Sequence, residues 1–336
     1  MTSKGSEGRF LLVPPGGFMV QRLLLVWLVL VSLLAYFWEA WLAGVPDPFR
    51  LTAPGLNALF AVTMLAVGSL LPADEIRQVG RRWPTVVGGT ALQYLSMPLL
   101  AYAMARLMGL EGPAFVGVLV AGCVPGAMAS NVLTMIARGN VSYSISLTTS
   151  ATLLSPLVVP SALWLLLRRW VDLDVAQMMW QLCWMVVLPV VAGHLLCRTF
   201  PAWDRAARRV GATIANLSIL WIIAIVVAQN RDRFAQLEVR MLLALVGLNV
   251  LGYLAGYAGG AGMRLPVPMR RALTLEIGMQ NAGLGTVLAT QFFGPEAAIA
   301  PALYTFGCML TGTILARLWS EIPAEPLPPK GSDACN

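Results

Sequence analysis

The spacing of its apolar runs constrains this chain more than any other feature. Ten runs, at 20–38, 55–71, 85–107, 113–137, 141–167, 175–197, 211–229, 240–259, 267–291 and 296–318, follow one another with short connections. A helix needs about 20 apolar residues to cross the hydrocarbon core of a bilayer. With 336 residues, ten such runs leave no room for a sizeable soluble domain. Charged residues make up 12% of the chain, about half the share found in soluble domains. The sequence therefore predicts an all-α polytopic membrane protein embedded in a lipid bilayer, and a soluble enzyme is all but excluded.

The net charge of +7 does not point to nucleic acid. The basic residues fall mostly between the apolar runs, where they set topology. Counted over alternate connections, Lys and Arg number 16 on the side of the N-terminus and 7 on the other. That bias predicts both termini in the cytoplasm, in a plasma or inner membrane. Arg50, the pair Arg168/Arg169 and the group Arg231, Arg233 and Arg240 stand on the minority side. Lys4, Arg9 and Arg22 precede the first run, which is long and lacks a small-residue cleavage site, so it reads as a retained helix. Five scattered cysteines give neither a disulfide framework nor a metal motif. No nucleotide-binding fingerprint is present, so ATP is not the expected energy source.

Two runs are interrupted near their middles, 113–137 by GCVPGAMASN and 267–291 by GMQNAGLG. They are the fourth and the ninth. Two units of five helices, 20–167 and 175–318, fit that placement. An odd number of crossings makes the second unit enter from the opposite side, which is the inverted-repeat layout of secondary transporters. The Pro-rich remainder, 319–336, reads as a flexible tail.

Glu276 lies well inside the ninth run, with Gln280 one turn on and Asn281 after it. A carboxylate inside a bilayer is costly and marks a polar cavity or a pathway. In the fourth run, Pro125 and Gly126 are followed by Ser130 and Asn131, which also read as caps of a restarted half-helix. The fifth run adds Ser144 and Thr148 on one helical face, and Gln93 is the long polar side chain of the third. One carboxylate with several amide, hydroxyl and free carbonyl oxygens suits a hard monovalent cation, and no transition-metal set joins it. The amides at the restarted half-helices suit an anionic group.

The segments GCVPGAMASNVLTMIARGNVSYSISLTTSATLLSPLVVP (122–160) and ALTLEIGMQNAGLGTVLA (272–289) resemble the bile acid:sodium symporter family, in its bacterial form. The resemblance implies ten helices in two inverted repeats, with a panel of helices one, two, six and seven, and a core of the rest in which helices four and nine are broken and cross. It implies one sodium site from Ser130, Asn131, Ser144, Thr148 and Glu276. A second would come from Gln93, Glu276 and Gln280 with the carbonyls of Ile277 and Met279. Asn281, Ala129 and Met128 would face the substrate. Relatives usually read GGTASN where this chain has GAMASN, so Ala127 and Met128 replace a glycine and a hydroxyl residue.

The expectation is a sodium symporter, without enzymatic activity or a bound cofactor, carrying a bile-acid-like or smaller organic anion by alternating access. Two sodium ions per cycle is what the resemblance implies; a monomer is compatible with all of this. The rival readings are a proton-coupled carrier using Glu276, a metalloid-oxyanion exporter for which Cys123 could be cited, and a membrane sensor or scaffold.

Overall fold

The computed structural model describes residues 24–42, 44–72, 83–234 and 237–322. Its main elements in chain order are α1 (Leu24–Trp41), α2 (Pro48–Ser69), α3 (Trp83–Leu107), α4 (Gly112–Cys123), α5 (Ala129–Ile136), α6 (Val141–Leu167), α7 (Val175–Thr199), α8 (Pro201–Gln229), α9 (Val239–Gly262), α10 (Val267–Gly278), α11 (Ala282–Phe292) and α12 (Ile299–Glu321). Among the described residues, seven helices, α1, α2, α6, α7, α8, α9 and α12, are long and apolar enough to cross a membrane. Large apolar side chains stay exposed on them and their neighbours: Leu107 and Trp180 are both 73% exposed. Helices that are apolar on their inner and outer faces alike need lipid outside. The protein is a multi-pass membrane protein. The first basic cluster, most of the 71–84 connection and residues 323–336 of the tail lie outside the described residues.

The described parts of Met1–Ala73 and Ala176–Gln236 form one compact unit. In it α2 packs on α7 and α8, and α1 packs on α8. Small residues let the backbones meet, with Gly68 against Val190 and Gly193 against Leu65. Short π-turns at Cys183–Val187 and Ala207–Gly211 interrupt the regular winding of α7 and α8. His194 is buried in α7, and its ring makes no hydrogen bond among the described residues. Arg231, buried beside the end of α8, bonds Asp47, donates to the Ala35 carbonyl at 2.6 and 2.8 Å, and pairs with Glu39 at 2.7 Å. Arg50 reaches the same Glu39 at 2.8 Å and the Ala228 carbonyl at 3.1 Å. Two of the arginines that run against the loop-charge bias are thus structural ties, matched by Glu39 and Asp47.

The described parts of Asp74–Val175 and Leu237–Asn336 form the second unit, with α3–α6 and α9–α12. The Tyr94 hydroxyl donates to the Ala151 carbonyl at 2.6 Å and Tyr143 to Thr85 at 2.9 Å, tying α3 to α6. Arg271, expected only as part of a topology cluster, is buried and donates to Ala137 at 2.8 Å, Trp319 at 3.2 Å and Ile322 at 3.1 Å. It therefore caps the C-terminal ends of both α5 and α12, where a cation meets the negative end of the helix dipole.

Candidate functional site

The two sequence interruptions become two helix breaks. Val124 ends α4 in an extended conformation, which the residue before a proline favours, and Pro125 offers no amide to continue the helix. α10 ends at Gly278, and Asn281 starts α11 by accepting the Leu284 amide at 3.1 Å. The stretches between the half-helices pair as a short antiparallel bridge. Ala127 N–H donates to the Met279 carbonyl at 2.7 Å, and Asn281 N–H to the Pro125 carbonyl at 2.7 Å, around Gly126 and Gln280. A Cβ on Gly126 would run into the Glu276 carboxylate, so any larger residue here would displace that group from its hydroxyl partners.

Ser130 and Asn131 do not cap α5. The capping position belongs to Met128, which provides no side-chain bond, and both residues sit inside the first turn. Their amides turn back to the carbonyls of Ala127 and Met128 at 3.0 and 3.1 Å, which frees the two side chains for other partners.

Glu276, on the last turn of α10, is fully buried. Its Oε2 accepts from Ser130 Oγ at 2.5 Å and from Thr148 Oγ1 at 2.8 Å. Thr148 Oγ1 also lies 3.5 Å from Asn131 Oδ1 and 3.1 Å from the Ser144 carbonyl. A hydroxyl has one proton, so only one of these three oxygens can receive it at a time. Ser144 Oγ accepts from Thr134 at 3.3 Å. Ser130, Asn131, Ser144, Thr148 and Glu276, drawn from α5, α6 and α10, are thus gathered into one compact oxygen cluster. Thr134, one turn beyond Ser130, belongs with it, and its i,i+4 spacing was the signal that could have found it.

Further polar atoms without partners lie on α3 and at or just past the end of α10. Gln93 is buried with neither amide atom hydrogen-bonded, and Glu276 Oε1 and Gln280 Oε1 are buried and unpaired too. Each such atom costs about 1–3 kcal/mol if left unsatisfied. The chemistry of these atoms, carboxylate and amide oxygens without thiolate or imidazole, is of the kind that fits a sodium ion carried as cargo. The carbonyls of Ile277 and Met279 each already accept one bond, from Gln280 Nε2 at 2.6 Å and from Ala127 N–H at 2.7 Å. A carbonyl has a second lone pair, so both can still face a cation.

Around the bridge, Ala127, Met128, Ala129, Asn131 and Asn281 are half-buried where Gly126, Ser130 and Gln280 are buried. The amides of Met128 and Ala129 have no backbone acceptor among the described residues. A cavity of about 720 Å³ lies elsewhere in this unit, among Arg106, Glu111, Phe115, Trp170, Phe292 and Phe293. None of the candidate residues lines it.

The family model described as the Sodium Bile acid symporter family matches residues 58–237. The chain belongs to this family. It is 30% identical over 88% of its length to a Bacillus subtilis protein described as an uncharacterized sodium-dependent transporter, covering 90% of that protein. It is also 30% identical over 84% of its length to a probable chloroplastic sodium/metabolite cotransporter of Arabidopsis thaliana, covering 71% of it. A mouse protein described as a sodium/bile acid cotransporter is 26% identical over 72% of this chain. Membership makes the protein a membrane transporter and not an enzyme.

Beside the end of α10, Asn249 Nδ2 and Tyr304 Oη each donate to the Gly278 carbonyl at 2.8 Å, and Thr311 Oγ1 donates to Asn249 Oδ1 at 2.7 Å; sequence reasoning singled out none of the three. The signal for the first was present: Asn249 is the one amide side chain in the apolar run 240–259.

Proposed function

We propose that the protein is a sodium-coupled symporter that imports an organic anion by alternating access. The observation that carries this reading is the fully buried Glu276, whose carboxylate meets Ser130 and Thr148 beside two paired helix breaks. A carboxylate held in hydroxyl and amide oxygens, without a cationic side chain, supplies the negative charge that a sodium ion would offset. The sodium-dependent relatives support the same coupling ion.

One ion would use Ser130, Asn131, Ser144, Thr148 and Glu276. A second would use Gln93, Glu276, Gln280 and the carbonyls of Ile277 and Met279, for two ions per cycle. In our reading the seven long helices, α3 and the two broken pairs α4/α5 and α10/α11 make ten crossings in two inverted repeats. The unit with α1, α2, α7 and α8 serves as the panel and the other as the moving core, with both termini cytoplasmic in a plasma or inner membrane. The substrate binds at the half-exposed face of the bridge. There the Met128 and Ala129 amides and the Asn281 side chain meet an anionic head, and the Met128 side chain meets an apolar body. That combination favours a carboxylate with an apolar body over a small polyhydroxylated acid.

The test is uptake of a panel of organic acids into proteoliposomes under an inward sodium gradient. Sodium-driven uptake that stops in potassium or choline supports the reading. Equal uptake without sodium, driven by a pH gradient, transfers the role of Glu276 to proton carriage.

A further inference from the structure

The end of α10 is held by a network that makes, among the described residues, no hydrogen bond to the side chains of the proposed ligands. The Gly278 carbonyl, the last of α10, accepts two donors at 2.8 Å: Asn249 Nδ2 from α9 and Tyr304 Oη from α12. Asn249 Oδ1 in turn accepts from Thr311 Oγ1 of α12 at 2.7 Å, and Thr311 lies 3.1 Å from the Tyr253 hydroxyl of α9. Asn249 and Tyr304 are buried. The fit is tight: a Cβ on Gly278 would collide with the Tyr253 ring, and one on Gly252 would approach the Gly278 Cα at 3.3 Å.

Carbonyls at a helix C-terminus have no partner within the helix. Here three in succession are assigned. Ile277 receives Gln280, Gly278 receives Asn249 and Tyr304, and Met279 receives Ala127 across the bridge. Of these, only the Gly278 bonds come from helices that cross beside the break, so they fix how the intervening peptide planes are turned. Gln93 stands ten residues past the first residue of α3, and Asn249 ten past the first of α9. The Gln93 side-chain amide has no hydrogen-bond partner among the described residues, and the Asn249 amide is committed on both of its atoms. The same register therefore serves two purposes: one amide is left for a ligand and the other holds backbone.

We infer that Asn249 and Tyr304 are positioning residues for the second cation site. Through the Gly278 carbonyl they orient the Ile277 and Met279 carbonyls and Gln280, and Thr311 links that orientation to α12. This inference rests on the sodium reading above. It predicts that sodium affinity depends on side chains that never touch the ion.

The experiment is radiolabelled sodium binding to purified full-length protein without substrate, with the melting temperature measured in parallel. The variants are Asn249→Leu, Tyr304→Phe, Thr311→Val and the double variant Asn249→Leu/Tyr304→Phe. Tyr304→Phe keeps the ring and the packing, so it keeps the test open if Asn249→Leu fails to fold. Either single loss leaves Gly278 one donor, and sodium affinity should fall by about threefold to fivefold. The double variant orphans the carbonyl and should lose more than the product of the two, about 30-fold or more. Thr311→Val should weaken sodium binding less than Asn249→Leu. Melting temperatures that fall while sodium affinity stays at the wild-type value would overturn the inference and leave the network purely structural. A wild-type protein that binds no sodium would instead overturn the underlying reading, and the two failures are told apart by that control alone.

Discussion

Replacing Glu276 by Gln tests the centre of the site with little change of shape. The Gln side-chain oxygen can still accept the Ser130 and Thr148 hydroxyls that now bond Oε2 at 2.5 and 2.8 Å. What is lost is one negative charge in a fully buried position. At an effective dielectric constant of 20 and a separation of about 4 Å, a charge pair is worth about 4 kcal/mol. Sodium affinity should therefore fall by about a thousandfold. The same charge is a liability when no cation balances it, because a buried carboxylate loses its hydration. In sodium-free buffer E276Q should accordingly melt at or above the wild-type temperature. Added sodium should raise the melting temperature of the wild type alone, by the equivalent of about 2.7 kcal/mol at a hundredfold excess over its dissociation constant. The assay is a thermal melt of both proteins across a sodium titration, with choline keeping ionic strength constant. If E276Q binds sodium within threefold of the wild type, the carboxylate is not a ligand and the cage described above does not hold the ion.

Three further outcomes follow from the same geometry. Gly126→Ala places a methyl group against the Glu276 carboxylate, so sodium-driven uptake should be lost in a protein that still inserts and elutes as a single species; wild-type sodium affinity in this variant would contradict the close approach. Met128→Thr returns a hydroxyl to the half-exposed face of the bridge and should shift competition binding toward hydroxylated carboxylates by about 5-fold to 150-fold, with sodium dependence intact. Arg231→Met removes the cationic partner of the buried Asp47 side chain, which keeps only the Phe49 and Arg50 amides; this should cost up to about 3–5 kcal/mol of stability in a melt and leave the sodium dissociation constant unchanged, since the cation cluster is built in the other unit.

Much of the helical layout was legible because apolar length is a local property. The run 141–167 and the helix Val141–Leu167 coincide. Both breaks were visible as well, one through Pro125 and the other through the polar GMQN stretch. Polarity singled out Ser130, Asn131, Ser144, Thr148 and Glu276 among other polar residues, since few such groups are tolerated at depth, and their grouping into one site was what the family resemblance implied. The errors and omissions share a cause. Ser130 and Asn131 look like caps because capping is read from neighbours in sequence, yet their side chains are turned toward α6 and α10 across the break. Arg271 looks like a loop charge because it sits in a basic pair, yet its carbonyl partners lie 134, 48 and 51 residues away. Asn249 and Tyr304 meet at a backbone atom that carries no sequence signal at all, since a carbonyl left over by a helix end looks the same in every residue.

The bridge between the two breaks also bears on the order in which this protein can be assembled. Four backbone groups, the amides of Ala127 and Asn281 and the carbonyls of Pro125 and Met279, find their backbone partners, among the described residues, in each other. Away from water, each such group left open costs several kcal/mol. When the ribosome has delivered α4 and α5, the segment that must pair with them is still about 150 residues from being synthesised. Until then the first break must keep access to water or to the insertion machinery, and it cannot settle as a finished membrane element. The first half is therefore a dependent piece that is completed from behind, and a chain truncated before α10 should be recognised as unfinished however apolar its helices are.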